Sequence, residues 1–324
     1  MKATARANTN IALIKYWGKR NEELFLPMNS SISITLDKFY TVTTVEFLEG
    51  LQKDSLRLNG EAGSASDLKK CSDFLDVIRN LYGKAMYANI VSTNYVPTAA
   101  GFASSASGFA ALSGAAIKAL NMDISTEKLS TIARRGSGSA LRSIYGGFVQ
   151  WNMGVREDGE DSVAVQLLGE QEWKVTILSV VVDTITKKVS SREGMKRTVD
   201  TSPFYKGWLE TVEEDIIEAK EAISKKDFYR LGEVVEANAF KMHATMLGAK
   251  PPVIYFNHGT MEVIHCIHGL RGQGLGAYIT IDAGANVKVL CLPEDEEFVT
   301  NQLKELKSVQ SVITCHPGEG IHYL

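Results

Sequence analysis

One stretch constrains this chain more than any other: Val96-Pro97-Thr98-Ala99-Ala100-Gly101-Phe102-Ala103-Ser104-Ser105-Ala106-Ser107. An extended run ending at Pro97 enters a loop of small residues, and that loop leads directly into a helical pattern over 106–120. Free backbone N–H groups and the helix dipole therefore converge on one spot, as an anion cradle requires. The small side chains let a polyphosphate approach the backbone, and serine hydroxyls can bond its oxygens or ligate Mg²⁺. No Gly-Lys-Ser/Thr ends the loop, so it is not a Walker A motif. The alternative is tight helix packing through Ala, Gly and Ser. Composition alone leaves both open.

The elements around this loop are mixed. Alternation over 31–36 and 40–45 predicts strands, the spacing over 67–81 predicts a helix, and a further strand runs into Val96. Helices follow at 106–120 and 126–135, the second with Ser125 as N-cap. A strand at 148–151 is ended by the polar loop 156–161, and 173–182 is a β-branched, buried strand. Helices are expected at 203–223, 227–243 and 261–270, with strands at 277–281 and 287–292. A change of domain near residue 172 divides the chain into 1–172 and 173–324. The irregular alternation argues for an α+β fold rather than a regular doubly wound sheet. No repeat of 20 to 50 residues and no low-complexity tract is present.

The 324 residues are 44% hydrophobic and 23% charged, with a formal net charge of −3. That balance offers no broad basic field for nucleic acid or an acidic membrane surface, so an anion has to be met by a local pocket. The N-terminal residues show no apolar core of signal-peptide type, and the longest uncharged stretch, 91–117, is too rich in Gly, Ser and Thr to enter a membrane. The expectation is a cytoplasmic protein. Cys71, Cys266, Cys291 and Cys315 form no CxxC pair, which fits reduced thiols.

Several other segments can carry chemistry. Arg134-Arg135-Gly136-Ser137-Gly138-Ser139-Ala140-Leu141-Arg142-Ser143 is either a helix C-cap and turn or a second anion nest with Arg142 beside it. In Asn10-Ile11-Ala12-Leu13-Ile14-Lys15-Tyr16-Trp17-Gly18-Lys19, two lysines stand in an apolar and aromatic context where they are hard to solvate and call for an anionic partner. Arg192 follows a hydrophobic strand in what reads as a basic loop. Asp282 ends an apolar strand just before Gly284, a place for a turn former or for a rigidly held catalytic carboxylate. The cluster His258, His265, Cys266 and His268 matches no zinc spacing, and no Gly-x-Ser-x-Gly elbow is present for a serine hydrolase.

Taken together and in this order, NIALIKYWGK, PTAAGFASSAS, GSGSALRS, Ser190–Met195 and Asp282–Lys288 resemble mevalonate diphosphate decarboxylase of the GHMP kinase superfamily, from near the N-terminus to about residue 290. The resemblance implies a GHMP kinase-like two-domain fold with a ferredoxin-like C-terminal domain, a cleft for ATP, Mg²⁺ and mevalonate 5-diphosphate, and a homodimer. It places Gly101, Ala103, Ser104, Ser105 and Ser107 on the ATP-phosphate loop, with Ser105 as a Mg²⁺ ligand. Ser92 and Asn94 fall near the nucleotide, and Lys187 reaches its phosphates. Tyr16, Lys19, Ser139, Ser191 and Arg192 are implied to hold the diphosphate, with Trp17, Gly18, Ser137, Gly138, Ala140, Leu141 and Met195 also at the substrate. Arg142 is implied to fix the carboxylate, Asp282 to address the tertiary 3-hydroxyl, and Lys15 to sit beside Asp282.

The sequence departs from the family's usual pattern at Asn8 (commonly His), Leu141 (a small Ser or Cys), Ala285 (Pro) and Lys241 (frequently Arg). Of these, Leu141 is expected to bear most directly on the substrate pocket. The implied reaction is ATP-dependent decarboxylation to isopentenyl diphosphate, in which phosphorylation of the hydroxyl precedes loss of phosphate and CO₂. A mevalonate 3-kinase or a phosphomevalonate decarboxylase is the nearest rival. Asp282 with Lys15 argues against the first, and Lys19, Ser191 and Arg192 argue for a diphosphate. A catalytically silent sensor on the same scaffold would have no need of the full acid and base set.

Overall fold

The computed structural model describes residues 1–95, 104–183 and 188–324, with Ser104 as backbone alone. β1 (Lys2–Ile14) pairs antiparallel with β4 (Ser31–Phe47). The hairpin of β2 (Lys19–Asn21) and β3 (Leu26–Pro27) lies between them in the chain. The two strands expected over 31–45 are one, and its halves have different neighbours. Ser31 to Ile34 pair with β8 (Phe148–Trp151), whereas Tyr40 to Phe47 pair with β7 (Ala88–Tyr95). The first half is buried on both faces and the second alternates, as expected where only one face is covered. β5 (Ser55–Leu58), parallel to β7, and β6 (Glu61–Ala62) continue one edge, β9 (Ala164–Leu168) pairs with β8, and the eight-stranded sheet is completed by β14 (His322–Tyr323) on β1.

Between β6 and β7 runs α1 (Ala65–Tyr82), started by the Ser64 side chain on the Asp67 N–H and stopped by Gly83 in the left-handed region. After β7 come α2 (Ser104–Ala119) and α3 (Thr126–Gly136), the latter capped by Ser125 as expected. The small residues of α2 serve packing as well: Ala110, Ala111, Ala115 and Ala116 are fully buried with Ala5 and Ala7 of β1 in one core cluster. A 3₁₀ helix, Gly138–Ile144, follows α3.

A second sheet is built from β10 (Thr176–Val181), β11 (Ala277–Ile281), β12 (Val287–Cys291) and β13 (Ser311–Cys315), in the order β11-β12-β10-β13 with every neighbouring pair antiparallel. The first strand thus lies between the third and the fourth, which is the ferredoxin-like order. Four helices, α4 (Ser191–Thr201), α5 (Tyr205–Lys225), α6 (Phe228–Leu247) and α7 (His258–Gly272), connect β10 to β11, and α8 (Glu296–Lys304) connects β12 to β13. Both faces are covered. Leu178, Val180 and Val289 pack with Val263 and Ile267 of α7 and Val299 and Leu303 of α8. Ile177, Tyr278 and Leu290 pack with α5 and α6, in a cluster that also takes in Ile11, Ile14, Ile32 and Ile34 of the first sheet. The ends of β1 and β11 are brought together by that shared core, and the site forms there.

Candidate active site

Lys15 is the first residue beyond β1, just after a register shift between Ala12 and Ile14 takes the strand out of its ladder. Its backbone groups need other partners, and buried amide side chains supply them: the N–H donates to Asn238 Oδ1 of α6, and the C=O accepts from Asn29 Nδ2, each at 2.8 Å. The side chain is buried, and its ammonium donates to the Ala12 carbonyl and to Asp282 Oδ1, both at 2.8 Å. Burial drives the Lys15 pKa down, against the opposing pull of the Asp282 carboxylate.

Asp282 stands immediately after β11. Burial alone would raise its pKa, but Lys15, Lys288 and Arg142 together outweigh that and hold it below the ordinary carboxylate value. The strand end itself is steadied from behind. His243 Nε2 lies 3.3 Å from the Ile281 carbonyl and therefore carries its proton there, and burial pushes its pKa down to about 4. Arg142, in the 3₁₀ helix, is also buried, which pushes its pKa down to about 10 and still leaves it protonated at neutral pH. It donates to Ser31 Oγ at 2.5 Å and to Asn10 Oδ1 at 3.3 Å. Asn10 is in turn fixed by Ser139 O and Ser143 Oγ.

A second basic group lies in the same cavity. Lys19 Nζ is 2.5 Å from Glu22 and 4.6 Å from the centroid of the Phe25 ring, and the Arg192 guanidinium is 5.7 Å from the same centroid. The segment leading to Lys19 is bent at Gly18, whose φ is +108 and whose added Cβ would stand 1.8 Å from the Tyr205 hydroxyl. That hydroxyl donates to Trp17 O at 2.8 Å, so α5 clamps the bend. Tyr16 packs against Trp151 at 4.7 Å, and its buried hydroxyl has no hydrogen-bond partner among the described residues. Glycine at 138 leaves room for these rings, since a Cβ there would lie 3.1 Å from the Tyr16 ring and 3.2 Å from that of Trp151, close enough to push them by a few tenths of an ångström.

The cavity measures about 800 Å³. Of the residues singled out in the sequence, Lys15, Tyr16, Trp17, Lys19, Ser105, Ser137, Gly138, Ser139, Arg142, Ser191, Arg192, Met195 and Asp282 line it. Ser191 and Arg192 do not form a loop: they open α4, whose N-cap Ser190 accepts from the Glu193 N–H. Ala140 and Leu141 are fully buried, and Leu141 packs with Val149, Trp151 and Ala164 rather than lining the cavity. Ser92 and Asn94 on β7 bond Thr43 and Thr41, and Ser107 bonds Thr41 and Thr9. Gly101, Ala103 and Lys187 lie outside the described residues.

Two family models match the chain: the diphosphomevalonate decarboxylase-like N-terminal domain over residues 7–164, and the mevalonate 5-diphosphate decarboxylase C-terminal domain over residues 177–320. The chain belongs to the diphosphomevalonate decarboxylase family. The diphosphomevalonate decarboxylase of Saccharomyces cerevisiae is 41% identical over 314 residues, covering 91% of this chain and 78% of the relative. That of Homo sapiens is 38% identical over 91% of this chain and 78% of its own length. The mevalonate diphosphate decarboxylase of Staphylococcus aureus superposes with a TM-score of 0.94 at 45% identity, covering 100% of this chain and 98% of the other. A structure of MDDEF in complex with MVAPP, AMPPCP and magnesium superposes at 0.93 with 46% identity, covering 100% and 99%.

The diphosphomevalonate decarboxylase fold also accounts for residues the sequence reading left without a role. Lys288 is buried in β12, lines the cavity and acts on Asp282, and a lysine inside an apolar strand is a signal that could have found it. Asn238, Asn29, His243 and Tyr205 carry no such signal, because each acts on a backbone group distant in sequence. The donor set fits a magnesium nucleotide. Ser105 lines the cavity in the first turn of α2, which carries no acidic residue to repel phosphate. Among the described residues no group of three His, Cys, Asp or Glu could hold a metal ion alone. Mg²⁺ bound by one or two protein oxygens together with phosphates suits such a site.

Proposed function

We propose that the chain catalyses ATP-dependent decarboxylation of (R)-5-diphosphomevalonate to isopentenyl diphosphate, ADP, phosphate and CO₂, with the cavity residues in the following roles. The observation that carries this reading is that one cavity is lined both by a carboxylate in contact with a buried ammonium, beside a rigidly held guanidinium, and by two further cations on a common ring. ATP with Mg²⁺, when bound, supplies the phosphoryl group that turns a tertiary alcohol into a leaving group.

Asp282, ionised at neutral pH, accepts the hydrogen bond of the 3-hydroxyl and aims that oxygen at the γ-phosphorus. As the new O–P bond forms and the bond to ADP breaks, the hydroxyl proton passes to Asp282. Lys15 keeps the carboxylate in place. Loss of phosphate from C3 takes the C–O electron pair with it, and the pair of the C–C bond to the carboxylate becomes the alkene as CO₂ departs. Arg142 holds the carboxylate in the required plane through that step. Tyr16, Lys19, Ser139, Ser191 and Arg192 hold the diphosphate, which positions C3 at Asp282. Ser105 and Lys187 serve the nucleotide phosphates.

The division into an ATP-binding unit, 1–172, and a second unit, 173–324, is part of the same reading, supported by β9 ending at Leu168 and β10 starting at Thr176 in different sheets. So is a homodimer in the cytoplasm, with four free thiols consistent with a reducing compartment. The test is incubation with ATP and Mg²⁺ and with mevalonate bearing zero, one or two 5-phosphates, following ADP and CO₂ together. Equal amounts of both are expected with the diphosphate; ADP without CO₂ would show a kinase.

A further inference from the structure

We propose that Phe25 is a positioning residue for diphosphate binding and that Glu22 is its built-in counter-ion: the ring holds Lys19 and Arg192 at one place, and the Glu22 carboxylate occupies Lys19 until a diphosphate displaces it. The inference rests on the placement of the diphosphate at Lys19 and Arg192 in the functional reading. Phe25 closes the short turn from β2 to β3 with φ at +54, in the left-handed region that a bulky side chain seldom adopts. There its ring lines the cavity, with Lys19 Nζ at 4.6 Å and the Arg192 guanidinium at 5.7 Å from its centroid, both within cation–π range.

The two cations come from distant parts of the chain and repel each other, so a shared electron-rich surface is what lets them stand together before an anion arrives. Arg192 is exposed and makes no hydrogen bond or ion pair among the described residues, which leaves the Phe25 ring as its ordering contact. Lys19 differs. Its side chain is 6% accessible, yet its partner Glu22, three residues on, is 67% accessible. An exposed carboxylate on a buried ammonium is weakly held and easily exchanged. A diphosphate brings more charge and meets Lys19 and Arg192 together in the cavity that both line.

The experiment measures binding of inorganic pyrophosphate by calorimetry with a non-hydrolysable ATP analogue at saturation, alongside KM for diphosphomevalonate. Phe25→Leu keeps apolar bulk and loses the π face, so both values should weaken about tenfold, with kcat and the KM for ATP within about twofold of the parent. Phe25→Trp, which keeps a π face, should return to within about threefold. Glu22→Gln should tighten pyrophosphate by about threefold. A Phe25→Leu protein within twofold of the parent, or a Trp variant as weak as Leu, overturns the role of the ring. Unchanged or weaker binding by Glu22→Gln overturns the counter-ion, and that variant lies on an exposed turn where folding is not at stake. A parent protein that releases no CO₂ would instead fail the functional reading while these binding comparisons stand.

Discussion

Asp282→Asn is the most informative substitution, because it retains the shape and most of the turn hydrogen bonding while removing one negative charge from among three cations. Lys15 sits 2.8 Å away, and Lys288 and Arg142 both act on the carboxylate. Leaving a buried ion unpaired typically costs about 3–5 kcal/mol. Here the Asp282 side chain is 40% accessible, so water screens part of that field and the expected loss of stability is about 1–3 kcal/mol. The loss should depend on pH in a defined direction. The Lys15 pKa is already lowered by burial and falls further without its partner, so the variant binds fewer protons folded than unfolded below the ordinary lysine pKa. Its deficit against the parent should shrink as pH rises from neutrality towards the ordinary lysine range, because Lys15 can go neutral before that range is reached.

The kinetic effect should be larger than the structural one. If Asp282 directs the 3-hydroxyl, its loss removes about 3 kcal/mol or more of transition-state stabilisation, on the order of a hundredfold or greater in kcat. ATP and substrate should still bind, because their phosphates are held elsewhere. Thermal melts across pH, calorimetric binding of both ligands and single-turnover ADP release separate the two effects. A variant that folds, binds both ligands and turns over within about fivefold of the parent would remove Asp282 from the mechanism.

Arg192→Ala should raise KM for the diphosphate substrate strongly and leave ATP affinity nearly unchanged, as read from initial rates with each ligand varied; equal weakening of both would mean the residue is misplaced. Leu141→Ser should lower stability by about 2–5 kcal/mol in denaturant melts while KM stays within about threefold, since Leu141 is enclosed by Val149, Trp151 and Ala164. Tyr205→Phe should cost about 1–3 kcal/mol by leaving the Trp17 carbonyl without its donor, and should raise substrate KM several-fold by loosening the bend before Lys19.

What could be read in the chain was local. Ser125 announces its helix because an N-cap bonds a backbone N–H three residues on, and the strand at 277–281 is visible because every residue in it is buried. Lys15 was conspicuous for a similar reason, since an ammonium among Ile14, Tyr16 and Trp17 has to find an anion. That its anion is Asp282, 267 residues away, is not written in either segment and became an expectation only through family resemblance. Leu141 shows the opposite case. Its neighbours Ser139 and Arg142 line the cavity, but within a 3₁₀ helix adjacent residues point in different directions, and Leu141 is turned into the core. Phe25 and Tyr205 had no signature, because a ring beneath two cations and a hydroxyl on one carbonyl leave no periodicity.

The charge arrangement bears on how the reaction can be driven. A carboxylate whose pKa is held below the ordinary value is a poor base towards a tertiary alcohol, and Lys15, Lys288 and Arg142 all act to keep it so. Early deprotonation of the hydroxyl is therefore the wrong role for Asp282. Phosphoryl transfer through a loose transition state needs little nucleophilic push, because bond breaking to the leaving group runs ahead of bond making. The proton then becomes acidic only as the oxygen bonds phosphorus, and a weakly basic carboxylate suffices to take it. Low basicity has its own use at the next step: Asp282 gives that proton up to an oxygen of the departing phosphate and, ionised again, faces the positive character left at C3. The three cations that weaken Asp282 as a base thus keep it charged for the second half of the reaction, and Lys15 acts through that charge rather than on the substrate.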